Sequence, residues 1–199
     1  MTMPSQFRIP KATIDGAYGA VMTRVAKRMW GQVTDNAHVL WHNLPVLKAV
    51  FGFERRVGRW HELDPHLKAY AEMASAGVIG CSWCLDFGYF LAHTNGLDEA
   101  KVREVPRWRE SEVFTDLERE VMAYAEAMTV TPPTVTDEMV ASLDSQLGHA
   151  AVVELTMVVA VENERSRFNS AMGLASQGFS DVCELPLAQA STGEETAAR

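Results

Sequence analysis

Apolar side chains recur along this chain at steps of three and four residues, with charged and amide residues between them. Ile14, Ala17, Val21, Val25 and Met29 form such a stripe and Gly31 closes it, which predicts a helix from about Thr13. A short helix is expected over Asp35 to Trp41. Asn43 then offers an N-cap, with Pro45 just inside the first turn of a helix carrying Val46, Leu47, Val50 and Phe51. Asp64-Pro65 repeats that start signal ahead of Leu67, Tyr70, Ala74 and Val78, among small residues (Ala69, Ala71, Ser75, Ala76, Gly77) that permit close helix approach. The next helix opens after Gly80 and stops at Asn95-Gly96. Asp98 caps a short helix to Val105, where Pro106 should break it. Thr115 and Glu118 have the spacing of a capping box, for a helix through Val121, Tyr124 and Met128 that ends before Pro132-Pro133. Thr136 opens another, carrying Met139, Val140, Leu143 and Leu147 and closed by Gly148. The stretch from His149 to Met172 is apolar nearly all round in its first half, which predicts the central, most buried helix.

No segment alternates with a period of two between hairpin turns, so the expected fold is all-α, a bundle of about seven to nine helices by this pattern. One helical domain is expected over 1–180, with its core in 40–175 and a tail over 181–199. The terminal STGEETAAR has a disordered composition. No strict repeat is present, although two similar helical halves, 45–105 and 115–172, fit the pattern.

Composition narrows the function. Hydrophobic residues at 47% and charged ones at 22% describe an ordinary globular protein able to bury a sizeable core. A formal net charge of −8 leaves no basic excess to neutralise phosphates, which argues against a nucleic-acid partner. Three cysteines are too few for a disulfide framework, and MTMPSQFRIP has no apolar signal core. The apolar run from Leu155 to Val161 is bounded by Glu154 and Glu162 and is too short to span a bilayer. The expectation is a cytoplasmic protein, with no membrane partner, whose thiols are reduced at rest.

The chemistry-bearing stretch is Gly80-Cys81-Ser82-Trp83-Cys84-Leu85-Asp86-Phe87-Gly88. On a helix, residues three apart lie about 60° round the axis, so both thiols share one face within reach of a disulfide. If Cys81 lies in the first turn, unpaired N–H groups and the positive helix end lower its thiol pKa. Redox use, metal binding and plain burial all remain open for an isolated C-x-x-C. No strand precedes Gly80, as a thioredoxin-type motif requires, and Leu85 stands where a c-type haem site needs His. A structural zinc site needs two further ligands, and Cys183 reads as a bystander near the tail. Trp83 reads as a packing residue. His38, His42, His61 and His66 read as surface or capping residues, and Glu162 with Arg165 as an internal i,i+3 ion pair. Large apolar groups in the first third (Trp30, Trp41, Phe51, Phe53, Trp60) suggest a homo-oligomer.

The chain resembles the alkylhydroperoxidase D / carboxymuconolactone decarboxylase superfamily over roughly residues 40–180. The likeness lies in the small-residue helix before a helix opening on C-x-x-C. It extends to Leu117-Glu118-Arg119-Glu120-Val121, Ala123-Tyr124-Ala125, Val161-Glu162-Asn163 and Arg167-Phe168-Asn169-Ser170-Ala171-Met172-Gly173. The resemblance implies a helical fold, frequent homo-oligomers and, in the peroxidase branch, a cysteine pair that reduces hydroperoxides. Cys84 corresponds to the attacking thiol and Cys81 to the resolving one. The branch also uses a His four residues after the second cysteine and a Glu twelve before the first as a proton relay. Here those positions hold Gly88 and Ala69.

His93 lies about 180° round the same helix from Cys84 and does not substitute. Glu72, three positions after Ala69 and nearly on its face, is the expected stand-in, with Asp86 a further candidate; Gly88 could leave room for a substrate. The scheme implied is a thiol peroxidase using Cys84 and Cys81, without metal or organic cofactor, regenerated by an external dithiol or protein reductant. Two alternatives stand beside it: a decarboxylase-like lyase or isomerase acting on a small carboxylated substrate, and a non-catalytic, redox-sensing oligomer.

Overall fold

The computed structural model describes residues 4–189. Among these there are nine α-helices and no strand: α1 (Gly16–Trp30), α2 (Asp35–Leu40), α3 (Leu44–Val57), α4 (Pro65–Ile79), α5 (Ser82–Thr94), α6 (Glu99–Val102), α7 (Asp116–Thr129), α8 (Asp137–Leu147) and α9 (His149–Met172). The caps lie where the polar residues predict them. Asn43 accepts from Val46 N–H, Asp64 from His66 and Leu67, and Thr136 from Met139, while Thr115 and Glu118 close a reciprocal capping box. The helix expected from Asp98 to Val105 is shorter. It ends at Val102, and Pro106 enters a separate 3-10 turn, Val105–Arg107, near whose start a missing N–H is tolerated.

The centre of the bundle is α4, not α9. The α4 helix packs against α5, α7 and α9 and buries Leu67, Tyr70, Ala71, Met73, Ala74, Ser75 and Ala76. Its small side chains let three helices approach at once, an advantage that apolar count alone does not register. The α9 helix buries Leu155, Val158 and Val159 completely, yet Val153 is 64% exposed on its other side. The apolar stripe of α1 points partly outward: Val21 is 60% and Met29 57% exposed, whereas Gly19 and Ala26 face inward. The contact on that inner side is too close for a large residue, since a Cβ on Gly19 would stand 3.0 Å from Ile14 Cγ2 and 3.1 Å from Trp41 Cζ2.

Both ends of the described chain fold back onto the helices. Gln6 N–H donates to Gly173 O at 2.8 Å, and a Cβ at Gly173, whose φ is +74°, would collide with Gln6 O. Beyond a second 3-10 turn, Phe179–Val182, Leu185 N–H donates to Glu99 at 2.7 Å and Ala188 N–H to Arg103 O at 2.9 Å. STGEETAAR lies outside the described residues. No helix among the described residues is long and apolar enough to cross a membrane.

Candidate active site

Gly80 ends α4 in the left-handed conformation, φ +76°, and turns the chain directly into α5. Cys81 therefore sits one position earlier than a first-turn residue and serves as the N-cap. Its Sγ accepts the Cys84 N–H at 3.2 Å. Cys84, one turn on, presents its Sγ 2.6 Å from Cys81 Sγ, and the two residues are only 2% and 7% exposed. A sulfur pair this close can bond with little backbone movement.

The remaining wall comes from α9. Glu162, Ser166 and Asn169 follow one another at i, i+4 and i+7, on one helix face, and all three are buried. Asn169 Nδ2 donates to Cys84 Sγ at 3.4 Å, and its buried Oδ1 has no partner among the described residues. Ser166 Oγ donates to Glu162 Oε1 at 2.6 Å, and the Glu162 carboxyl is close enough for its charge to act on the Cys84 thiol.

Charge is distributed unevenly over this cluster. The hydrogen bond from the Cys84 thiol pulls Cys81 down to about 7 against its burial, with the Cys84 N–H, Ser166 and Asn169 adding to it. Cys84 is pushed far above the ordinary thiol range because it supplies that proton, and because it is buried beside Glu162. When the pair loses a proton, the one that remains is favoured on Cys84 and the negative charge on Cys81 at the helix end. Burial raises Glu162 to about 8; Arg165 opposes this and Glu72 reinforces it. Glu162 therefore carries a proton at neutral pH and can exchange it near neutrality.

Glu72 lies one step further out. Its carboxylate meets Arg165 Nη1 at 2.8 Å, and the same guanidinium binds Glu54 at 2.5 Å and Glu162 at 3.4 Å. Three carboxylates around one guanidinium favour holding one of them neutral, and Glu162 is the deepest. Glu72 influences the pair through Arg165, while the carboxyl at Cys84 is Glu162. Arg165 does reach Glu162, as the i,i+3 spacing suggests, but to a protonated carboxyl this 3.4 Å contact is a hydrogen bond and not an ion pair.

Asp86 is buried and has a different set of partners. Its carboxylate accepts from Gln177, Phe179 and Ser180 N–H and from Ser180 Oγ, anchoring the loop after α9. Gly88 opens no substrate space, since a Cβ there would meet Met73 Cγ at 3.3 Å. Trp83 packs against Phe87 and Phe179, with its indole N–H on Gln177. His93 pairs with Glu99.

Comparison with known proteins places these elements in a lineage. The carboxymuconolactone decarboxylase family profile matches residues 45–127, from α3 into α7, with both cysteines inside. The uncharacterized protein YnjA of Escherichia coli (strain K12) is 31% identical over 169 residues, 85% of each chain. This chain belongs to the carboxymuconolactone decarboxylase family. Its fold is shared with the debrominase Bmp8, solved in complex with 2,3,4-tribromopyrrole, at a TM-score of 0.75 and 18% identity over 87% of this chain and 95% of that one. It is shared also with a candidate antioxidant-defence AhpD protein of unknown function from Agrobacterium tumefaciens, at a TM-score of 0.62 and 21% identity over 67% of this chain and 92% of that one. Glu162, Ser166 and Asn169 all lie beyond the segment that the carboxymuconolactone decarboxylase profile matches, so a search for the relay within that segment misses them.

Proposed function

We propose that this protein is a thiol oxidoreductase that reduces a hydroperoxide with the Cys81–Cys84 pair. Cys84 is the attacking sulfur, Cys81 the resolving one and Glu162 the acid–base group. The observation that carries this reading is a pair of buried sulfurs 2.6 Å apart, with the buried Glu162 carboxyl near enough for its charge to act on Cys84.

Transfer of the shared proton to Cys81 leaves a thiolate on Cys84, with Asn169 Nδ2 directed at it. That sulfur bonds the terminal peroxide oxygen, the O–O bond breaks, and the departing alkoxide takes the Glu162 proton to become an alcohol. Cys84 is then a sulfenic acid, whose O–H can donate to the unpartnered Asn169 Oδ1. Cys81 passes its proton to the Glu162 carboxylate and attacks the Cys84 sulfur. The disulfide forms, the S–O bond breaks, and hydroxide leaves. An external dithiol or protein thiol restores the pair by exchange.

The names of structural relatives, an antioxidant-defence candidate and a debrominase, are consistent with two-electron thiol chemistry. A lyase acting on a carboxylated substrate is less well supported, because Arg165 beside the site is already surrounded by Glu54, Glu72 and Glu162. The test is consumption of hydrogen peroxide, a tertiary alkyl hydroperoxide and 2,3,4-tribromopyrrole, each with dithiothreitol. Peroxide turnover that Cys84→Ser abolishes supports the reading. Turnover of the bromopyrrole alone keeps the dithiol and changes the substrate, and activity that survives Cys84→Ser overturns the mechanism.

A further inference from the structure

Away from the cysteine pair, three separate segments meet: the last turn of α5, the first residue of α6 and the chain after Val182. There His93, Glu99 and Cys183 bring an imidazole nitrogen, a carboxylate oxygen and a thiol sulfur within 4.8 Å of one another, all three residues half-buried. We propose that these side chains bind a zinc-class divalent cation, with water as the fourth ligand.

The donor set selects the metal class. Magnesium and calcium take oxygen ligands, whereas mixed nitrogen, sulfur and carboxylate donors suit zinc and its neighbours. The spacing is close to what is required. Tetrahedral bonds of about 2.0–2.3 Å set ligand atoms roughly 3.3–3.8 Å apart. The 2.8 Å His93–Glu99 contact and the 4.8 Å outer limit bracket that range, so the three groups lie near ligand spacing.

The surrounding hydrogen bonds orient the carboxylate. Glu99 Oε1 is held by Leu185 N–H at 2.7 Å and by the hydroxyl of the buried Tyr89 at 3.0 Å, which leaves Oε2 on the side of His93. Outer partners of this kind fix a ligating carboxylate in metal sites. A simple His93–Glu99 ion pair accounts for two of the three groups but not for the thiol beside them. A divalent ion makes thiolate and carboxylate partners at such a site. It would also fasten the segment after Val182 to α5 and α6.

The test is titration of the full reduced chain with Co²⁺, read by its thiolate-to-cobalt charge-transfer band and visible tetrahedral bands. The expected result is one Co²⁺ per chain, displaced by Zn²⁺. The band should persist in Cys81→Ser/Cys84→Ser and vanish in Cys183→Ser. His93→Gln or Glu99→Gln should weaken binding at least tenfold. Zn²⁺ should also slow alkylation of Cys183 in the unaltered protein, a readout that needs no variant to fold. A band that survives Cys183→Ser, a band that is absent from the Cys81→Ser/Cys84→Ser form, or Cys183 alkylation indifferent to Zn²⁺ would each overturn the assignment.

Discussion

Glu162→Gln separates the role of this carboxyl in chemistry from its role in stability. The substitution keeps the side-chain shape and an oxygen for Ser166, and it removes only the titratable proton. Burial raises Glu162 from the ordinary carboxyl value of 4.5 to about 8. Because the folded value is the higher one, the native state binds a proton that the unfolded chain releases between these limits. Stability from this group is complete below pH 4.5, falls as pH rises, and is lost once pH passes about 8. The slope is about 1.4 kcal/mol per pH unit, so wild type should lose roughly 2 kcal/mol between about pH 6 and 8 that the Gln variant keeps. Urea unfolding at matched pH values measures that difference, since other titrating groups cancel between the two proteins. Peroxide turnover should fall about 10²-fold or more, the lower end for loss of a positioned acid–base group. Parallel stability profiles together with undiminished turnover would refute both parts of the reasoning.

Three further outcomes follow. Asn169→Leu removes the donor to Cys84 Sγ and the unpartnered Oδ1, and sulfenate formation should slow about tenfold, equivalent to ~1.4 kcal/mol; an unchanged single-turnover rate would contradict this. Asp86→Ala removes four hydrogen bonds to residues 177–180 and should destabilise the fold by about 3 kcal/mol or more, measured by urea unfolding, so an intact midpoint with lost activity would make Asp86 a chemical rather than an anchoring residue. The outward stripe of α1, with Val21, Val25 and Met29 exposed, leads us to propose a homo-oligomer; light scattering should give a mass above the 22.0 kDa of one chain, and Val21→Glu/Met29→Glu should lower it.

Helix order and caps were legible because both depend on local chemistry. Asn43, Asp64, Thr115 and Thr136 act on N–H groups two or three residues away. Centrality was not legible, because periodicity identifies an apolar face without saying what covers it. The first half of α9 reads as the most buried stretch and is partly exposed, while the small residues of α4 hold the middle. At the site, the C-x-x-C and its helix start were readable, but the acid–base partner was sought near Ala69 and Gly88. It comes from about eighty residues further along the chain. One signal for it was present: Glu162, Ser166 and Asn169 repeat at helical spacing directly after the apolar first half of that helix, and a carboxyl buried there needs a partner or a proton. Glu72, expected as the stand-in base, instead binds Arg165, with both that guanidinium and Glu162 between it and Cys84.

The measurement that addresses the central proposal most directly is sulfenic-acid trapping after a single equivalent of peroxide, located by peptide mass spectrometry. In Cys81→Ser, with no resolving thiol, the trap should label Cys84. In Cys84→Ser it should leave Cys81 unlabelled. In the parent, with chelator present, the product should be a Cys81–Cys84 disulfide with Cys183 still alkylatable. Label on Cys81 in Cys84→Ser, or a disulfide that includes Cys183, would contradict the proposal.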